Sequence, residues 1–346
     1  MERSNEPLDL RVQPAKALRI ARDNWLVLGL ISSIAAAWLW PKPGSPGGWM
    51  HAEITTKVGI ALVFWLQGAT LPLGSLLSGA KNLRLHALIQ GVTFLIMPLL
   101  GLVGDLALGS LVHRELRVGF LYLCVLPSTI KTAVVFTSLA GGNSAAAIFS
   151  ATLSSLIGVL ATPLWIEWLT RSSPVHVPLG GVVAQIVGLL VAPFVVGLMS
   201  QGWLSRPTMR LKNLSNPIGS VVVLFIVYAA FCDSISSGTW RDQNPMLSLS
   251  ALLLAAGLFF VASGFTWLGA KALRLSDDDT ITALFCAPQK TLASGAPLAQ
   301  LVFLGQNVGL LLLPLLFYHP LQLLMGGVLV SKLGRRKRPR DAAACA

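Results

Sequence analysis

Charge is what this sequence has least of, and negative charge above all. Of 346 residues only 12% are charged, and Asp plus Glu number 14 against 26 Lys plus Arg. No carboxylate falls in the middle of a long apolar run, and His51, His86, His113, His176 and His319 are scattered near the run ends without an acid pair facing them. A membrane enzyme working by general acid and base therefore lacks its parts. Cysteine is almost as sparse. Cys124, Cys232, Cys286 and Cys345 lie far apart, which excludes a closely spaced zinc or thiol redox pair and gives no disulfide framework. A basic face with interleaved aromatics is also missing, so the formal net charge of +12 does not point to nucleic acid.

Hydrophobic residues are what fill the chain, at 54% with a mean hydropathy of +0.71. Apolar runs lie at roughly 24 to 41, 58 to 78, 85 to 109, 117 to 140, 144 to 170, 178 to 200, 216 to 236, 247 to 272, 280 to 302 and 305 to 331. Ten candidate membrane spans follow. With the N-terminus inside, 18 Lys and Arg fall in cytoplasmic segments and six on the other side, with Lys131 and Lys290 completing the 26. That bias predicts N-in and C-in topology in the plasma (cell inner) membrane. Residues 1–23 mix Arg3, Arg11, Lys16, Arg19 and Arg22 with four acids and lead into no cleavage pattern, so they read as a retained cytoplasmic segment. Residues 24–332 form the membrane domain. The tail 333–346 carries Arg335, Arg336, Lys337, Arg338 and Arg340, a set suited to anionic lipid.

Two stretches inside these runs look like one device used twice. Leu126-Pro127-Ser128-Thr129-Ile130-Lys131-Thr132-Ala133 and Ala287-Pro288-Gln289-Lys290-Thr291-Leu292-Ala293-Ser294 each set a proline, small hydroxyls and one lysine in apolar surroundings. In lipid a helix breaks only where the freed backbone groups meet protein, water or a bound solute. The prolines are 161 residues apart, close to the offset between the second run and the seventh. Five spans repeated in sequence re-enter the membrane from the opposite side, so the pattern predicts an all-α, inverted 5+5 repeat with two discontinuous crossing helices. Such paired breaks are the sequence mark of a secondary transporter's binding site.

Single residues follow from that frame. An ammonium at bilayer depth costs several kcal/mol or more unless it faces a polar cavity or a partner. Lys131 and Lys290 can thus attract an anion, stand in for a cation by bridging carbonyls freed at the breaks, or snorkel to an interface. The charge of Lys290 is expected beside Gln289, Thr129 and Thr132. Ser128, Thr129, Thr132, Thr291 and Ser294 supply hydroxyls next to half-helix ends, although a lone membrane Ser or Thr more often bonds its own helix. Gln67, Gln306 and Asn307 can reach a cavity or join helices. Gly141-Gly142-Asn143 reads as a turn, and Asp277-Asp278-Asp279 as a solvated helix start.

The residues also carry a family resemblance. Leu126 to Gly158 (LPSTIKTAVVFTSLAGGNSAAAIFSATLSSLIG), Phe285 to Gly295 (FCAPQKTLASG), the run LPLLFYHPLQL from Leu313, and Phe64 to Gly68 (FWLQG) in the second span resemble the sodium/bile-acid symporter superfamily. The likeness is greatest to its type 7-like branch of bacteria and vertebrates. It implies a panel domain of spans 1, 2, 6 and 7 and a core domain of spans 3–5 and 8–10. It further implies alternating access to a small organic anion, no enzyme activity, and no cofactor beyond a possible transported sodium ion near the crossover, with Asn143 close by. The lipid bilayer is the expected surrounding, nucleic acid is not a partner, and a monomer or weak homodimer is expected. Well-studied members have a sodium-ligating glutamate four residues before the glutamine that matches Gln289, and Phe285 stands there. Sodium would then need a shell of neutral oxygens. The other expectation is a transporter-fold protein with a regulatory or scaffolding role and no sodium coupling.

Overall fold

The computed structural model describes residues 25–71, 79–108, 112–171, 187–201, 208–238, 246–303 and 306–344. The expected amino-terminal segment 1–23 lies outside them. Every regular element among the described residues is helical. Besides a 3₁₀ turn at Lys42–Gly44, they are α1 (Trp25–Leu39), α2 (Ala52–Ala69), α3 (Leu83–Gly91 continuing through a π-turn at Val92–Ile96 into Met97–Leu108), α4 (Arg114–Val125), α5 (Lys131–Leu139) and α6 (Ser144–Arg171). They continue as α7 (a π-turn at Val187–Val191 leading into Ala192–Ser200), α8 (Thr208–Ser236), α9 (Met246–Ala272), α10 (Asp277–Cys286), α11 (Leu292–Val302) and α12 (Val308–Ala344). Among the described residues, five stretches suffice by length and composition to cross a membrane: Leu83–Ala107, Ser144–Ile166, Pro217–Ser236, Met246–Ala272 and Val308–Leu333. Helix α12 runs on through the basic tail that the sequence sets apart from residue 333.

Local chemistry explains the ends. Ser276 caps α10 by accepting from the Asp279 N–H at 3.2 Å, with three aspartates in the first turn against the positive end of the helix dipole. Asn82 caps α3 in the same way through Leu85 N–H at 3.2 Å. Helix α5 stops because Gly141 takes φ +76° and lets Gly142 N–H return to Thr137 O at 2.8 Å. The π-turn of α3 precedes Pro98, whose ring carries no N–H.

Helix α12 is the central post. Within the crossing window 67% of its residues are buried, against 22% for α9 at the periphery. It contacts α4, α5, α8, α9 and α11. Around it α3 to α6, α9 and α10 pack on one another, α11 lies against α8 and α2, α2 also lies against α7 and α8, and α1 against α8. The α2–α7 contact is close because each helix offers a glycine. A Cβ on Gly68 would collide with Phe194 O, and one on Gly197 with Trp65 O. Small residues let backbones approach where lipid supplies no hydrophobic drive between helices.

Candidate functional site

The chain leaves helical geometry twice in the middle of this bundle, between α4 and α5 and between α10 and α11, and the two breaks are bonded to each other. Thr291 N–H donates to Pro127 O at 3.1 Å, and the Ser128 hydroxyl donates to Cys286 O. The remaining polar groups of the breaks find side chains. Ser154 Oγ accepts from Ser128 N–H at 2.9 Å, Thr162 donates to Val125 O at 2.8 Å, and the Thr93 hydroxyl lies 3.2 Å from Ala287 O. Tyr318 donates to Pro288 O at 2.6 Å. Gln322 grips the backbone of Lys290 at both ends, accepting from its N–H and donating to its C=O, each at 2.8 Å. Buried backbone groups outside secondary structure require such partners.

Lys290 is fully buried, and its ammonium donates to three backbone carbonyls: Leu126 O at 2.6 Å, Cys124 O at 2.9 Å and Thr93 O at 3.1 Å. Each of these oxygens has lost its helical donor. Ser128 N–H, the natural partner of Cys124 O, has gone to Ser154. Leu126 lies beyond the end of α4. Met97 N–H bonds Val92 O within the π-turn instead of Thr93 O, and the next residue, Pro98, has no N–H to give. The expected neighbours Gln289, Thr129 and Thr132 are not among the lysine's partners. They form their own group, in which Thr132 donates to Gln289 Oε1 at 2.8 Å and lies 3.3 Å from the Thr129 hydroxyl.

The structure thus gathers Ser128, Thr129, Thr132, Gln289, Lys290 and Thr291 at one crossing, and separates the others. Lys131 is exposed at the start of α5. Asn143 sits at the far end of α5, where it caps α6 through Ala146 N–H at 3.1 Å and reaches Asp279 Oδ1 at 3.3 Å, with Asn82 on the other oxygen of that carboxylate at 2.6 Å. Gln67 and Ser294 share a small apolar recess with Phe64, Pro127 and Gly158. Phe285 is buried against Phe136, Ile281 and Ala140, its ring centroid 5.7 Å from that of Phe136. A phenyl ring fills the position where the resemblance puts a glutamate.

At the ends of α4 and α11 away from the crossing, a cavity of about 840 Å³ opens between α2 and α8 on one wall and α4, α11 and α12 on the other. Lys57, Glu53 and Asp233 face it from the first wall, and Arg114, Glu115 and Gln300 from the second. Gln306 and Asn307 line it as well. Sequence reasoning missed Thr93, Ser154, Thr162, Tyr318 and Gln322. Tyr318 and Gln322, in the resembling run from Leu313, and Ser154, in the one from Leu126, had a signal as polar groups in matched segments; Thr93 and Thr162 are hydroxyls that look like ordinary helix residues until their partners are seen. Among the described residues no group of three or more His, Cys, Asp and Glu is placed to hold a metal ion.

Long apolar helices, two of them broken and knitted together in a bundle that opens on a polar cavity, define a multi-pass membrane transporter. The SBF-like CPA transporter family model matches residues 24–335, and the chain belongs to that family. It is 36% identical over 329 residues to an uncharacterised protein of Pseudomonas aeruginosa, covering 95% of this chain and 97% of the relative. It is 33% identical to the putative symporter YfeH of Escherichia coli, over 84% of this chain and 87% of that one. It is 32% identical to sodium/bile acid cotransporter 7 of Danio rerio, over 91% and 96%. The chain is a transporter and not an enzyme.

Proposed function

We propose that the chain is a secondary active transporter that moves a small organic anion by alternating access, driven by an ion gradient, with sodium the ion named for its vertebrate relatives. The observation that carries this reading is the pair of broken helices joined in the middle of the bundle, with the 840 Å³ cavity leading in from the far ends of α4 and α11, because broken backbone at membrane depth occurs where it is buried in protein or lines a passage. In this reading the chain crosses the inner membrane ten times with both ends cytoplasmic, as a monomer or weak homodimer. Helices α1, α2, α7 and α8 act as the panel, the other eight act as the core within 24–332, and the cavity is the vestibule between them. Lys57 and Arg114 offer an anionic group its partners from the two walls. Glu53, Glu115 and Asp233 make a heavily charged anion a poor fit. Thr129, Thr132 and Gln289 supply neutral hydrogen bonds deeper in.

Uptake into proteoliposomes, screened with labelled carboxylates and sulfates under imposed sodium and proton gradients, tests this reading. Accumulation above the equilibrium level that collapses with one gradient is the expected result. No accumulation of any solute under either gradient, with the protein folded and correctly inserted, would overturn it. The regulatory or scaffolding reading would then stand, and Phe285 in place of a carboxylate is the observation that favours it.

A further inference from the structure

We propose that Lys290 is a tethered cation, its ammonium filling a three-carbonyl cradle that takes a free monovalent cation when the side chain is absent. The cradle is built from three separate irregularities. The π-turn before Pro98 frees Thr93 O, the diversion of Ser128 N–H to Ser154 frees Cys124 O, and the end of α4 frees Leu126 O. All three oxygens converge on one atom at 2.6 to 3.1 Å. Three converging carbonyl dipoles with no donor of their own form a negative focus, the arrangement by which unwound backbone holds monovalent cations in membrane proteins.

The stoichiometry identifies the occupant. An ammonium has three N–H donors, and here each has one carbonyl, with the carbon stem as the fourth substituent. A neutral amine offers only two N–H groups and would leave one oxygen bare. No carboxylate is among the partners, so the charge is balanced by backbone dipoles alone. The ammonium is also saturated and has no N–H left for a substrate. Gln322 completes the arrangement by fixing the backbone from which the stem projects.

The carbonyls belong to α3, the last turn of α4 and the first break, and the lysine to the second break; α3 packs on α4 and the two breaks are bonded to each other. The charge is therefore part of the scaffold of the crossing and does not have to be reloaded in each cycle. On the transport reading given above, this means that the crossing takes up no coupling cation at this point, and that any driving ion binds elsewhere.

The test reads stability, so that its failure is separate from a failure of the transport reading. Purified Lys290→Ala is compared with wild type by thermal unfolding in sodium, ammonium, ethylammonium and choline chlorides at equal ionic strength. Ligands that bind the folded state raise apparent stability saturably. The expected result is a melting temperature several degrees below wild type, restored saturably by ammonium, ethylammonium or sodium and not by choline, which is too large and has no N–H. Wild type should show no such response to ammonium or ethylammonium. A folded Lys290→Ala indifferent to every cation overturns the proposal. So does Lys290→Met with wild-type stability, since the cradle would then need no cation. Should both variants fail to fold, wild type decides alone through native labelling with an amine acetylating reagent. Lys290 must stay unmodified while Lys42 and Lys57 react, and acetylation of Lys290 at the rate of those exposed lysines overturns the proposal.

Discussion

Gln322 illustrates how much a single neutral side chain carries in this protein. It is an amide in a strongly apolar helix, yet it does for Lys290 what a neighbouring strand would do, offering an acceptor and a donor to one residue's backbone. Replacing it with leucine leaves a buried N–H and a buried C=O without partners. At about 1 to 3 kcal/mol for each unsatisfied group, Gln322→Leu is expected to destabilise the fold by about 2 to 6 kcal/mol. Thermal or denaturant unfolding in detergent measures this, and a loss below about 1 kcal/mol would mean that water or a shifted side chain takes over. The side chain of Lys290 could be singled out from sequence because a lysine in an apolar run is conspicuous. Its true partners could not, since backbone carbonyls leave no mark in a sequence, and the side chains nearest in the motif, Gln289 and Thr132, turned out to pair with each other.

At the scale of elements, the sequence carried more. The prolines at 127 and 288 predicted both interruptions, and the apolar runs foretold most of the helices to within a few residues, because hydrophobic length and helix breakers are local properties. What stayed hidden were the close approaches, which depend on pairs distant in the chain. Gly68 and Gly197 read as unremarkable helix residues, although each lies against the other helix's carbonyl. Gly68→Ala must push α2 and α7 apart and is expected to cost about 1 to 3 kcal/mol. Gly264 in α9 has nothing within 4 Å of an added Cβ. There alanine is expected to be neutral or to stabilise by about 0.5 to 1 kcal/mol through helix propensity. Measured side by side by thermal unfolding, the two substitutions should differ in sign or by at least about 1 kcal/mol, and equal effects would show that the α2–α7 contact is loose.

For the whole molecule, the vestibule divides the helices into two walls, and transport by relative movement requires those walls to separate and meet. Thr56→Cys and Gln300→Cys stand on opposite walls of the cavity. Joining them with a short bifunctional maleimide is expected to cut uptake at least tenfold, equivalent to about 1.4 kcal/mol or more of barrier, whereas either single variant treated alike keeps most of its activity. Uptake that survives the cross-link would show that the walls do not move. Orientation is tested separately. A reporter fused after Arg340 should read as cytoplasmic, and Ser237→Cys, at the mouth of the cavity, should react with an impermeant thiol reagent from outside. The opposite pattern would reverse the topology that the distribution of Lys and Arg implies.

The bond between the two breaks also sets a timetable for biosynthesis. Cys124 and Leu126 wait for Lys290, which follows them by 166 and 164 residues. At about 5 to 20 residues per second, the first break spends roughly 8 to 33 s in the bilayer before its donors leave the ribosome. During that interval the nascent protein holds bare carbonyls that only lipid, stray water or an insertion chaperone can meet. A chain ended at Arg171 never receives the missing donors, so it is expected to be degraded quickly in a pulse-chase experiment. Co-expression of residues 172–346 should prolong its lifetime, and a truncated chain as long-lived as the complete one would show that the wait is harmless.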